Sequence, residues 1–306
     1  MINNCTVCQR KISKNDIRYT NSLDTCILHC KKNTWYIEKN EQKDWTKSNN
    51  AVIYFWEEVR KIILNKDKDL DYQSGSSLDF RNIIFPIFEK SDDEIEEYDE
   101  GIIQCIDWHD NFYDMQNIDS EYPKYESDIR FNFSNSVFLD DIDLSDYKFN
   151  GIVNFDNVNF HGECRFNKTK FNQVSFNNTN FHKKVIFKDS VISFYSYQLG
   201  DFDKSIFYDE VEFINTTIGF EKSTKEFDID FKGTQFHKQV TFISCTFNKG
   251  LRFFKDTQSK QLNIQNTNIQ YLYIAGNIRV IIVNGNRKVF DKLITFLCSK
   301  ITQLHV

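Results

Sequence analysis

The sequence predicts an all-β solenoid, a stack of short extended segments that turns a corner every five or six residues. Phenylalanine occurs 30 times in 306 residues, far above ordinary usage, while Gly is held to 10 and Pro to 2. From Phe155 the ring returns with a nearly fixed step, at Phe160, Phe166, Phe171, Phe176, Phe181 and Phe187, with Ile192 next. Two positions before each stands a small or β-branched residue: Val153, Val158, Cys164, Thr169, Val174, Thr179, Val185 and Ser190. A step of five matches neither the ~3.6 of a helix nor the ~2 of a strand, so neither element keeps all the rings on one side. Four such sides close a square coil of about 20 residues, each ring lying above its counterpart one coil earlier. The residue two before the ring shares its side of the strand and must be small, because the ring already fills the interior.

Residues 1–32 read as a zinc-binding module. Cys5-x2-Cys8 is followed by Cys26-Ile27-Leu28-His29-Cys30, so four of the eight cysteines fall in the first thirty residues. Paired thiolates on a tight turn, completed by a second pair of ligands, make a tetrahedral zinc site. The candidate ligands are Cys5, Cys8, Cys26 and His29, with Cys30 as the other choice for the fourth place. Four protein donors leave no position for water or substrate, so the Zn2+ is structural, and a module this small needs it to fold. A redox role for Cys5-x2-Cys8 lacks the strand-then-helix context of thioredoxin-like sites.

Residues 33–77 read as a helical cap and linker. Val52, Phe55, Trp56, Val59, Ile62 and Ile63 follow three-four spacing, which predicts an amphipathic helix over about 49–65. An open solenoid end exposes unpaired backbone and apolar interior, and this helix is placed to cover it. Trp35, Trp45 and Trp56 are assigned to that packing rather than to a nucleic-acid platform.

The solenoid runs over 78–285, starting where Phe80 and Phe85 stand five apart, with an acidic insertion at about 89–128. Net charge is +4 over residues 1–65, −17 over 66–146 and +7 over 147–306. The insertion is therefore either a solvated loop or a docking surface for a basic partner. Beyond Ile192 the paired pattern returns from Val211/Phe213 to Leu272/Ile274, with breaks near 193–210, 219–228 and 254–261 that read as surface loops. Asn beside the rings, as in Phe176-Asn177-Asn178-Thr179-Asn180-Phe181, suits corners through its tolerance of left-handed backbone. Residues 286–306 are expected to form a second capping helix, with Val289, Phe290, Leu293, Ile294 and Leu297 on one stripe.

These residues resemble the pentapeptide-repeat proteins, whose motif centres on Leu or Phe with a small residue two positions earlier. The resemblance covers at least 131–285 and implies a right-handed quadrilateral β-helix. Phe replaces Leu almost throughout, Val and Thr replace Ala, and several steps are six, which implies a slightly wider coil. The Cys26-x2-His29 end is similar to N-terminal modules of some members. Gly285 to Phe290 looks like the junction at which long relatives leave the coil for helical regions, sometimes followed by membrane segments.

No enzyme signature is present: there is no metalloprotease His pair, no Gly-rich phosphate loop and no Gly-x-Ser-x-Gly turn. His161, His182 and His237 each follow a repeat Phe and are expected to point to water. No apolar run approaches the ~20 residues of a membrane helix, and no export signal is read at Met1 to Arg10, which points to the cytoplasm. The expected function is a non-enzymatic scaffold that binds an unidentified protein partner and not nucleic acid, with the capping helices as the surfaces for a homodimer. The alternatives are a DNA-mimic binder of a DNA topoisomerase, as the resemblance allows, or a truncated form of a membrane-associated relative. The +7 balance of the later coils argues against mimicry.

Overall fold

The computed structural model describes residues 3–40, 42–66, 77–87, 130–194, 201–219, 228–269, 271–284, 294–296 and 303–305. From residue 77 onward the chain winds into a four-sided solenoid of parallel strands. On the first side Phe85, Phe138, Phe160, Phe181, Phe207 and Phe236 pair in register from coil to coil, followed by Ser259 and Ile278. The second side carries Phe187, Phe213, Phe242, Ile264 and Val283 in the same way. Phe149, Phe171, Ile192, Ile218 and Phe247 form the third. The fourth aligns Ile229 with Leu251 and Phe231 with Phe253 and Ile274. At ~4.8 Å per coil the eight levels of the first side span about 34 Å.

Interior rings stack face to face along each column and meet edge-on across the coil. Phe85 and Phe138 lie 4.5 Å apart at 3°, Phe149 and Phe171 5.1 Å apart at 4°, and Phe187 and Phe213 4.9 Å apart at 3°. Neighbours within one coil are steep, as Phe155 and Phe160 are at 61°. Both arrangements suit the aromatic quadrupole, which contributes about 0.5–1.5 kcal/mol per ring pair beyond burial. The strands thus set a repeat that the rings can fill without gaps.

The small residues do more than make room. On the first and third sides most of them are Ser, Thr or Cys, with Ile83, Val158 and Tyr147 as exceptions, and the polar side chain donates to the carbonyl of a residue one coil earlier. Ser136 reaches Phe80 O, Thr169 Leu144 O, Thr179 Phe155 O, Ser205 Phe176 O, Thr216 Phe187 O and Thr267 Phe242 O, at 2.5–3.2 Å. On the second and fourth sides the same place is apolar, as with Val185, Val211 and Val240 or Val153 and Val174. The residue just before each hydroxyl side takes the left-handed conformation. Asn135, Asn178 and Lys204 do so before the first side, and Lys168, Asn215 and Asn266 before the third, with φ between 45° and 62°. Asn is therefore a marker of two corners in four.

Two of the expected breaks are coil. Phe202 stacks between Phe176 and Phe231, and Phe207 stands in the first column, so 201–207 is one regular corner with Ser205 two before its ring. Residues 258–261 continue the first side, where Ser259 replaces the ring and hid the pattern. Residues 88–129, which include the acidic insertion, lie outside the described residues, as do 195–200 and 220–227. Ser77–Asp79 and Ile84–Phe85 pair with Arg130–Asn132 and Val137–Phe138, so the chain resumes the solenoid directly over its first coil.

The C-terminal helix is corrected over the described part of its segment. Ile294–Phe296 pairs in parallel with Tyr271–Ile274, and Gln303–His305 with Asn277–Asn284. The run Leu293-Ile294-Thr295-Phe296-Leu297 is rich in β-branched and aromatic residues, and the open edge of the preceding coil supplies the hydrogen-bond partners. At the other end the helix Asn49–Lys66 presents Phe55 and Trp56 to Phe85, with centroids 5.8 and 6.0 Å away, and so covers the first column.

Outside the first side runs a second ladder. His161, His182, Tyr208 and His237, each following a column Phe, stack in parallel at 4.6, 4.9 and 5.0 Å. His161 and His182 are half-buried by this stacking rather than directed to water.

Phe160→Ala is expected to lower unfolding free energy by about 3–5 kcal/mol through cavity formation, and Thr179→Val by about 1 kcal/mol through a lost hydrogen bond, both read from denaturant midpoints. Burial, then His182 and Lys43, hold the His161 imidazole below its ordinary value, and burial does the same for His182. The unfolded chain then takes up these protons first, so this contribution is complete above about pH 6.5 and is lost as pH falls through the folded values. Denaturant midpoints followed from about pH 7 to about pH 5 should drop, and the double variant His161→Gln, His182→Gln should flatten that part of the profile.

Candidate metal centre

Two tight turns build the site. In the first, the Gln9 amide donates to Cys5 O at 2.8 Å and the Cys5 amide to Arg10 O at 2.7 Å, with Gln9 left-handed at φ 60°. In the second, the amides of His29 and Cys30 both donate to Cys26 O, at 3.1 and 3.0 Å. The Thr6 amide donates to Asp24 O at 2.8 Å and sets the turns side by side. The ligand atoms of Cys5, Cys8, Cys26 and His29 then all lie within 4.8 Å of one another.

The spacing has a recognisable scale. Cys8 Sγ is 3.8 Å from Cys26 Sγ, and His29 Nδ1 is 3.2 Å from Cys26 Sγ and 3.8 Å from Cys5 Sγ. A tetrahedron with Zn–S of ~2.3 Å and Zn–N of ~2.0–2.1 Å has edges of about 3.8 Å between sulfurs and about 3.6 Å between sulfur and nitrogen. Three thiols and one imidazole at these separations fit Zn2+ in geometry and softness. Cys30 is turned away: its buried thiol lies 3.4 Å from Ile27 O, outside the group, and burial pushes it above the ordinary thiol range. Contact with Cys26 holds the Cys8 thiol below its usual value, while the same contact and burial push Cys26 up to about 11. A cation between them would replace those protons.

Three charged residues that the sequence reading passed over hold the turns in place. Asp16 is fully buried and accepts from Arg10 Nη2 at 2.7 Å, the Ser13 amide at 2.7 Å and the Ile27 amide at 2.8 Å. Arg10 also donates to Glu58, tying the first turn to the capping helix. Lys32 is fully buried; Nζ lies 2.9 Å from Ile27 O and 3.3 Å from Cys30 O, and over the Trp35 and Phe55 rings. Burial brings its amine down to about 8, against the pull of Cys30 and Cys26. The Ser13-x2-Asp16 capping box was the one sequence signal for any of these. The module joins the rod through the Ile84 amide, which donates to Leu28 O at 3.0 Å, and through Trp45 Nε1, which donates to Asp140 at 2.6 Å. Among the described residues, Cys164 and Cys245 are buried in the coils and belong to no such group.

Asp16→Ala removes one of the two carboxylates that the Arg10 guanidinium engages and leaves two amides without their acceptor, and is expected to cost about 3 kcal/mol in the unfolding of the module, measured by chemical denaturation.

Comparison with known proteins agrees with the geometry of the coils. A family model described as pentapeptide repeats, in nine copies, matches residues 144–191. No curated protein and no solved structure matches the chain. The matched stretch takes in rings of all four sides and several left-handed corners, so over residues 144–191 the chain is similar to pentapeptide repeats, and its parallel β-solenoid is consistent with that family's β-helix.

Proposed function

We propose that the chain is a non-enzymatic scaffold: a head held together by one structural Zn2+, fixed to a rigid rod, that binds another protein. The observation that carries this reading is the distribution of exposed apolar side chains. Val7, Ile17, Leu23 and Ile37, at 40–62% exposure, all belong to the first 37 residues. The rod keeps its large apolar residues inside, with Val191, Tyr208 and Tyr271 as the exposed exceptions among the described residues. A recess of about 640 Å³ beside the ligand group adds Leu28, Ile62 and Ile83 to this surface, rimmed by Arg10, Glu58 and Arg81. Exposed apolar side chains concentrated in one stretch of chain, with Val7 beside a recess rimmed by both signs of charge, suit a protein contact. No described helix is long and apolar enough to cross a membrane.

The metal part of the reading rests on a closed donor set. Cys5, Cys8, Cys26 and His29 would hold the ion, which supplies cross-linking between two turns that share little apolar core.

Purified protein should contain about one zinc per chain by elemental analysis. Cys26→Ala and His29→Ala should lose it and Cys30→Ala should retain it; loss in the Cys30 variant would reassign the fourth ligand. For the contact surface, proteins captured by the full chain should be lost on Val7→Asp with Leu23→Asp at unchanged zinc content. An unchanged capture profile would reject the head as the contact.

A further inference from the structure

Among the described residues Lys32 is the only buried cation, at 1% exposure. Its ammonium sits against the second turn of the metal group. Nζ lies 2.9 Å from Ile27 O, 3.3 Å from Cys30 O and 3.5 Å from Leu28 O, and over the faces of Phe55 and Trp35, at 4.7 and 5.1 Å from the ring centroids. Carbonyls and ring faces solvate a charge without cancelling it. No described carboxylate lies within ion-pair distance of it, and the groups that act on it through charge are the thiols of Cys30 and Cys26.

The other charges buried in the head are already matched. Arg10 is held between Asp16 and Glu58, and Lys61 takes the second oxygen of Glu58 at 2.5 Å. Cys30 acts as a thiol, donating to Ile27 O at 3.4 Å. A buried ammonium with no counter-charge is costly, so its presence calls for an anion close by. Three thiolates and a neutral imidazole around Zn2+ leave one negative charge in excess. Cys26 links the two groups: it is a donor of the cluster and it opens the turn whose carbonyls hold the ammonium.

We propose that Lys32, on the reading that Cys5, Cys8, Cys26 and His29 hold Zn2+, is the counter-cation of that site. It is a positioning residue. Its charge balances the third thiolate, and its hydrogen bonds fix the turn that carries Cys26 and His29. The arrangement gives a reason for a lysine in so small a core, where an apolar side chain of the same length would fill the space between Trp35 and Phe55 at no desolvation cost.

Cobalt affinity of the full chain, read by absorption against a competing chelator, tests this role. The wild-type chain should take up about one Co2+ with the bands of a tetrahedral site rich in sulfur. Lys32→Met should weaken binding about tenfold or more while those bands stay in place. Lys32→Gln, which keeps a donor for Ile27 O but no charge, should lose as much, and it carries the comparison if circular dichroism shows the Met variant unfolded. The deciding measurement is made in Cys8→His, where two thiolates and two imidazoles form a neutral site. There the loss of the ammonium should cost no more than about twofold. An equal loss in both backgrounds would make Lys32 a support for the turn alone and overturn the counter-cation role while leaving the metal reading intact, as would undiminished affinity in both lysine variants. A wild-type chain that takes up neither cobalt nor zinc overturns the metal reading and the role of Lys32 with it.

Discussion

The fold depends on a match between two lengths. Parallel strands repeat at ~4.8 Å, and aromatic rings stack comfortably at about that distance. Column after column in this chain shows the coincidence, with ring separations from 4.5 to 5.6 Å along the first and fourth sides. A ring on one coil therefore sits in van der Waals contact with the next while the backbone closes its own hydrogen bonds. Neither aliphatic size nor helix propensity needs to be tuned. The composition follows: thirty phenylalanines and scarce glycine are what a coil filled by rings requires.

The rest of the interior answers to that match. Once rings occupy the centre, the residue two before each is buried beside them and is mostly Val, Thr or Ser, though Ile229 and Leu251 also fit there. Where it carries a hydroxyl, that group is buried and must find an acceptor. It finds the carbonyl of the coil beneath, so the polar atom that would weaken an apolar core instead ties adjacent coils. The left-handed corners lie at the same two turns, and at Asn135, Lys168, Asn178, Lys204, Asn215 and Asn266 the residue that follows is the one carrying the hydroxyl. Asn tolerates that conformation at low cost, and Lys168, Lys204 and Ser244 adopt it because the ladders on both sides enforce it.

The sequence made the coil legible because period and volume coincide: a ring every five or six residues and a small partner two before. It also displayed the group of three thiols and an imidazole, since Cys5-x2-Cys8 and Cys26-x2-His29 place these side chains on two turns. The sequence favoured His29 over Cys30 by the Cys26-x2-His29 spacing alone; the contacts of Asp16 and Lys32 with Ile27, beside which the Cys30 thiol lies, are not written in that spacing. The straightened corner near Ser259 was read as a loop, for the periodic signal disappears when one ring is replaced, although strand pairing continues. The last strands were read as a helix because three-four spacing over so short a run also fits a strand of mixed apolar residues. What decides there is an unpaired edge beside it, a tertiary fact that no local pattern carries.

A solenoid filled by rings leaves little interior space where its pattern is regular, and among the described residues the pattern is broken at the head and at the level of Ser259. The head occupies one end, where the Cys5, Cys8, Cys26 and His29 group and the buried charges of Asp16 and Lys32 join a small apolar core of Ile12, Ile27 and Leu28. The other departure is the level of Ser259, where a ring is absent and the outer ladder changes from aromatic to cationic. A substitution to Phe at Ser259 would restore the column found at Phe207 and Phe236, yet the chain has a hydroxyl there, its oxygen 3.0 Å from Gln261 O. In a structure whose stability comes from repetition, a break of this kind removes ring stacking at that level, while the parallel pairing of Gln258–Gln265 with the coils on both sides continues unbroken.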